Sequence, residues 1–138
     1  MSTKKSPRPL PQPTETTRPF WEAAKNHKLM LQYDPDAKAY QFYPRRGSVQ
    51  TGKTNLEWRE ASGKGAVFSY TDTLVPSAGF EDIAPYALVM VDLDEGVRIL
   101  ANYKNYKPED LKIGRRVKVC WDKLSDDMTI FAFEPDNG

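Results

Sequence analysis

This chain is poor in the residue types that most often do chemistry. It has one cysteine, one histidine and eight glycines among 138 residues. A single thiol excludes an internal disulfide framework and fits a reducing compartment, so a cytoplasmic setting is expected. Neither sign of charge is in excess: 20 Lys and Arg face 19 Asp and Glu, for a net charge of +1. No global field therefore favours DNA, RNA or an anionic membrane as a partner. Long apolar runs are missing too. The longest, residues 86–91, falls far short of a bilayer span, and no apolar segment follows the basic start to suggest a secretory signal. The length fits one domain with a small appendage.

What the chain does have is turn-rich spacing in residues 32–58. Two knuckles of C-x₂-C spacing fit at positions 34/37 and 48/51, the frame of a zinc ribbon. Those positions hold Asp34, Ala37, Ser48 and Thr51. A structural zinc site needs four thiolate or imidazole ligands, occasionally a carboxylate. One aspartate, one alanine and two hydroxyls do not supply that, so no zinc is expected. Small ribbons usually need their metal to fold. Aromatic contacts among Tyr33, Tyr40, Phe42 and Tyr43 are the expected substitute, and Asp34 reads as a turn residue.

Residues 1–15 read as a tail, because Pro7, Pro9, Pro11 and Pro13 alternate with polar and basic residues. Residues 16–60 read as a helix followed by the metal-free ribbon. Thr17 is placed to cap the helix, with Pro19 in its first turn, and the helix is expected to reach about His27. Phe20 and Ala24 share one face with Trp21 beside them, so a short aromatic stripe needs a dock on this chain or on another protein. Leu29 and Leu31, and the returning arm of Tyr40, Phe42 and Tyr43, predict a hairpin turned by Asp34-Pro35-Asp36.

Residues 61–138 are strand-rich. Residues 66–73, 86–93, 97–103, 117–121 and 128–133 are dense in β-branched and aromatic side chains. Asp94-Glu95-Gly96 joins the second and third as a hairpin, and Pro108-Glu109-Asp110 predicts a helical turn before the fourth. Five short strands with that insert predict a mainly β protein whose C-terminal part is a five-stranded OB-fold barrel. Val117, Val119 and Trp121 are expected to face inward, and Lys118 and Cys120 outward.

The ordered motifs resemble a family of acyl-CoA-associated proteins. Its members join an N-terminal helix and rubredoxin-like zinc ribbon to an OB-fold, the domain-of-unknown-function-35 type. The matching pieces are Phe20-Trp21-Glu22, Leu31-Gln32, Tyr43-Pro44-Arg45, Leu56-Glu57-Trp58, Ser62-Gly63-Lys64-Gly65, Gly79-Phe80-Glu81-Asp82 and Pro108-Glu109-Asp110-Leu111. They cover residues 16–134. The resemblance implies a non-catalytic partner of a thiolase-superfamily enzyme: a thiolase, an acyltransferase or an aldolase. It also implies a hetero-oligomer, with a coenzyme A thioester shared with the catalytic subunit. The family's four ribbon cysteines correspond to Asp34, Ala37, Ser48 and Thr51.

Candidate catalytic groups are few. Nucleophilic catalysis needs a nucleophile with a positioned base, and Cys120 and His27 lie in different expected elements. Ser62-Gly63-Lys64-Gly65 precedes a strand rather than opening a helix, so it reads as a turn and not a phosphate loop. The connection 74–85 is long enough to suggest a role. Its Phe80, Glu81 and Asp82, with Tyr86 and the helical Trp21, are the candidate partner or acyl-CoA contacts. Phe80 is open to two readings, an anchor for a partner or a plug for the barrel end. The alternative function is single-stranded nucleic-acid binding, with Lys104, Lys107, Lys112, Arg115, Arg116, Lys118 and Lys123 as cations and Tyr103 and Tyr106 as stacking platforms. Interleaved acids, among them Asp92, Asp94, Glu109, Asp110 and Asp122, count against it.

Overall fold

The computed structural model describes residues 9–75, 79 and 86–137. It is mainly β, with one helix (α1, Arg18–Lys25) and eight strands among the described residues. Strands β1 (Met30–Asp34), β2 (Ala39–Gln41) and β3 (Glu57–Glu60) form a small antiparallel sheet in the order β2-β1-β3. This is the ribbon. Strands β4 (Lys64–Thr73), β5 (Tyr86–Leu93), β6 (Arg98–Tyr103), β7 (Arg116–Ser125) and β8 (Met128–Pro135) close into a barrel in the order β4-β5-β6-β8-β7. A 3₁₀ turn, Pro108–Asp110, sits between β6 and β7. The barrel is the expected five-stranded OB-fold, with the helical insert after its third strand.

Alternation explains the barrel. In β5, Ala87, Val89, Val91 and Leu93 are buried while the residues between them are half-exposed. β6 repeats the pattern with Ile99, Ala101 and Tyr103. Such a period-two strand cannot slip by one residue without turning its apolar set to water. Two glycines let the barrel close. A Cβ at Gly65 would stand 2.4 Å from the Asp92 carbonyl oxygen, and one at Gly63 would stand 2.4 Å from Val119 Cγ1. Ser62-Gly63-Lys64-Gly65 is thus the entry into β4, where strands meet at close quarters, rather than only a turn.

β7 keeps the expected inward set, since Val119 and Trp121 pack against the core that encloses Val117 and Lys118 is exposed; only Cys120 differs. Val117 is fully buried, Val119 and Trp121 are partly covered, and Cys120 is half-buried rather than outward. Only residues 116–118 of the strand pair with β4, and its later residues pair with β8 alone. Trp121 there receives the His27 ring, stacked at 5.6 Å and nearly parallel.

The helix is shorter than the pattern suggests. Thr17 is the N-cap residue but makes no side-chain cap bond. Its hydroxyl instead accepts from the Thr14 amide at 2.8 Å, closing a local turn that outcompetes the cap. At the other end, His27 takes a left-handed conformation with φ 59°. The His27 amide donates to the Ala24 carbonyl and the Lys28 amide to the Ala23 carbonyl. That pairing is a Schellman stop, with histidine in the place glycine usually holds, so the helix ends at Lys25.

The aromatic stripe docks on its own chain. Phe20 (3% exposed) meets Phe42 at 5.7 Å and Phe131 of β8 at 5.8 Å, and Ala24 is fully covered. Burying one such ring contributes about 1.5–3 kcal/mol. Phe20, Leu29 and Leu31 join the barrel residues in one continuous apolar core. The ribbon and helix are thereby fastened to the barrel through β8.

Candidate functional site

The four knuckle positions converge. Asp34, 1% exposed, is the centre on which they meet. Its Oδ1 accepts from the backbone amides of Asp36 at 2.9 Å and Ala37 at 3.1 Å. Its Oδ2 accepts from the hydroxyls of Ser48, at very short range, and Thr51 at 2.9 Å. Ser48 Oγ in turn accepts from the amides of Gln50 and Thr51, at 3.0 and 3.2 Å. Hydrogen bonds led by the Ser48 hydroxyl hold the Asp34 carboxyl down at about 2, against the opposing effect of burial. The carboxylate is therefore ionised at neutral pH and satisfied by four donors.

This donor set does not fit zinc. Only Asp34 carries an anionic ligand atom, Ala37 offers none, and both hydroxyl protons already point at the carboxylate. No cluster of three or more His, Cys, Asp or Glu suited to a metal occurs among the described residues.

Two buried glutamines hold the next loop. Gln32 Nε2 donates to the Arg45 carbonyl at 2.7 Å, and its Oε1 accepts from the Arg45 amide at 2.8 Å. Gln41 donates to Gln32 Oε1 at 2.8 Å and accepts from the Val49 amide at 2.9 Å. Residues 43–49 are thereby pinned in one shape. Tyr43 and Val49 nevertheless remain 55% and 58% exposed, and Arg45 and Arg46 are exposed beside them. Sequence reasoning missed this loop as a presented surface. Its signal was two polar residues, Gln32 and Gln41, at strand positions that alternation assigns to a face.

The aromatic contacts expected in the ribbon form, as two pairs rather than one cluster. Tyr33 packs on Tyr40 at 4.8 Å, and Phe42 packs on Tyr43 at 4.3 Å. Phe42 is also committed to Phe20 and Phe131. The rings flank the ribbon, while the carboxylate joins its knuckles.

Trp21, the helical candidate, is half-buried and packs edge-on against Phe20 at 4.9 Å. It borders a shallow, largely apolar groove of about 270 Å³ with Leu88, Leu100, Ala101, Ile130 and Phe131. Tyr86 opens β5 opposite Thr73. Phe80, Glu81 and Asp82 lie outside the described residues. At the near end of the same connection, Leu74 and Val75 are 73% and 86% exposed.

The catalytic and nucleic-acid candidates are not brought together. Burial, with help from the Glu134 carboxylate, pushes the Cys120 thiol up to about 11, so the thiol is protonated at neutral pH. His27 stacks on Trp121, whose side chain lies on the opposite face of β7 from its neighbour Cys120. Tyr103 is 4% exposed, donates to the Asp110 carbonyl and stacks on Tyr106 at 4.8 Å. It is a core ring, not a platform for bases. Arg115 pairs with Asp110, Arg116 binds Asp94 through both carboxylate oxygens, and Lys104 meets Asp122. Lys123 meets Asp126 at 3.8 Å, so acids pair with four of the seven cations. Among the described residues no helix is long and apolar enough to cross a membrane.

Comparison with known proteins agrees with this architecture. Residues 58–122 match the family model described as the C-terminal OB-fold domain of ChsH2. A DUF35 domain-containing scaffold protein of Methanocaldococcus jannaschii is 37% identical over 75 residues, 54% of this chain and 53% of that one. A probable enoyl-CoA hydratase alpha subunit of Thermomonospora curvata is 31% identical over 118 residues, 84% of this chain but 36% of the relative. The chain thus spans about half of the first relative's length and about a third of the second's. Among solved structures, a chain of the Ltp2-ChsH2(DUF35) aldolase superimposes with a TM-score of 0.81 at 27% identity. That match covers 91% of this chain and 98% of the other. Nearly the whole chain has its counterpart there, and the protein resembles the DUF35 OB-fold proteins in its barrel sequence and in its fold, with a ribbon that lacks cysteines.

Proposed function

We propose that this chain is a non-catalytic accessory subunit of a thiolase-superfamily enzyme acting on an acyl-CoA thioester. One observation carries the reading: nearly the whole chain shares its fold with a chain of an aldolase complex, at 27% identity. Resemblance to a hydratase alpha subunit and to scaffold proteins supports the same role in other assemblies. The chemistry of the chain supports it as well, since its one thiol is held protonated and its one imidazole is stacked on Trp121. The catalytic groups then lie on the partner, and this subunit stabilises the partner and helps shape the opening for coenzyme A.

The surfaces suited to that contact combine aromatic and basic residues, the composition that dominates binding energy at interfaces. Trp21 with its groove, and the pinned loop bearing Tyr43, Arg45 and Arg46, are described residues of this kind. Pinning the loop lowers the entropy that binding would otherwise cost. Phe80, Glu81 and Asp82 remain part of the proposal.

The test is affinity capture of the tagged chain from native-host lysate, followed by reconstitution with the recovered protein. A thiolase-fold protein at near-equal amount is expected. Cys120→Ala and His27→Ala are expected to leave turnover unchanged, and Trp21→Ala to weaken assembly by roughly tenfold or more. Loss of turnover in the Cys120 or His27 variant, with the complex intact, would contradict the accessory role.

A further inference from the structure

We infer that the Asp34 carboxylate takes the structural place of a metal ion in this ribbon, as the common acceptor that fastens its two knuckles. The inference stands on the geometry of the chain and is independent of which enzyme the chain assists.

A zinc ribbon places a cation at the centre and anionic ligands around it. Here the polarity is inverted. The centre is an anion, and the groups around it are donors: two amides from the first knuckle, and two hydroxyls from the second. The hydroxyls lie 14 and 17 residues further along the chain, so the contact closes the ribbon as a metal would. Asp34, Ala37, Ser48 and Thr51 stand at the positions that C-x₂-C spacing marks, and all four take part in the contact. Ser48 extends the network, since its oxygen receives two amides of its own loop. No buried side-chain polar atom lacks a partner among the described residues. A fully satisfied buried network specifies one arrangement, whereas a half-satisfied one would destabilise it.

The inversion also excludes the cation it replaces. Donor hydrogens fill the space around Asp34, and Lys53 Nζ sits on neighbouring Asp36 at 3.0 Å. A Zn²⁺ ion bound at Oδ2 would displace both hydroxyl hydrogen bonds and gain only one carboxylate ligand. A ribbon of this kind needs no metal supply and has no thiolates to oxidise.

The full-length protein, produced in zinc-supplemented medium, tests the inference by elemental analysis and by thermal unfolding with and without EDTA. Substoichiometric zinc and an unchanged Tm are expected. One zinc per chain, or a Tm that falls with chelator, would overturn it. Asp34→Ala is expected to remove hydrogen-exchange protection from the amides of Asp36, Ala37, Gln50 and Thr51; retained protection would equally overturn it. The combined Asp34→Cys, Ala37→Cys, Ser48→Cys and Thr51→Cys variant is expected to bind one Co²⁺ with the absorption of a tetrahedral thiolate site. Absence of such a spectrum from a folded variant would show that the knuckles do not hold metal-site spacing.

Discussion

Barrel and ribbon solve the same problem of closure by opposite means. The barrel closes on an apolar interior, with Val89, Val91, Ile99, Val117 and Phe133 all fully buried and its strands paired in a ring. The ribbon has only three short strands and cannot enclose such a core. It closes on polar side chains instead: one carboxylate, two glutamine amides and two hydroxyls. Apolar closure is non-directional and insensitive to pH. Polar closure depends on each donor and on the charge of Asp34. Strand content, then, does not determine how a small β-element is held; the number of enclosed side chains does.

This contrast is open to test, from strong effects to weak ones. Phe133→Ala in the barrel is expected to cost about 3–5 kcal/mol in a denaturant titration, because the ring is fully enclosed. Both regions should unfold together, since one apolar core spans them. Gly65→Ala should cost about 1–3 kcal/mol, because its new Cβ meets the backbone oxygen of Asp92 rather than a side chain that can turn away. A neutral outcome for Gly65→Ala would mean that β4 and β5 separate more easily than their pairing suggests.

Acid should act on the ribbon first. The Asp34 carboxyl is held down at about 2, below its ordinary 3.8. A depressed carboxyl contributes its full stability above the ordinary value and loses it as pH falls through the folded one. Its neighbour Asp36 is also lowered, by hydrogen bonds from Lys53 and Asn55 and by the Lys53 charge. Amide signals of residues 34–51 are therefore expected to change between about pH 4 and 2, with those of β5 and β6 following only on global unfolding. Simultaneous loss of both would remove the distinction. The smallest effect belongs to Asn55→Ala, which removes an exposed 3.2 Å bond to Asp36 and should change stability by less than about 0.5 kcal/mol.

The barrel was legible because period-two alternation is written locally, as in residues 86–93. The knuckle positions were legible too, since they stand where C-x₂-C spacing marks them. What joins them was not legible. Asp34-Pro35-Asp36 has the composition of any tight turn, and its partners Ser48 and Thr51 lie in another loop, with no pattern linking the two. The helix end was misjudged for a related reason: His27 holds a left-handed position without the glycine that would signal it. Tyr103 and Tyr106 looked like stacking platforms because sequence does not show which aromatic the barrel keeps. The candidates Phe80, Glu81 and Asp82 lie outside the described residues.

Native-state hydrogen exchange on the wild type and Asp34→Asn at neutral pH tests the contrast most directly. The variant keeps the size of the side chain and removes its charge. Faster exchange is predicted at the amides of Asp36, Ala37, Gln50 and Thr51, with β5, β6 and β8 unchanged. Equal protection in the two proteins would contradict the account, because the ribbon would then be held by something other than the ionised carboxylate.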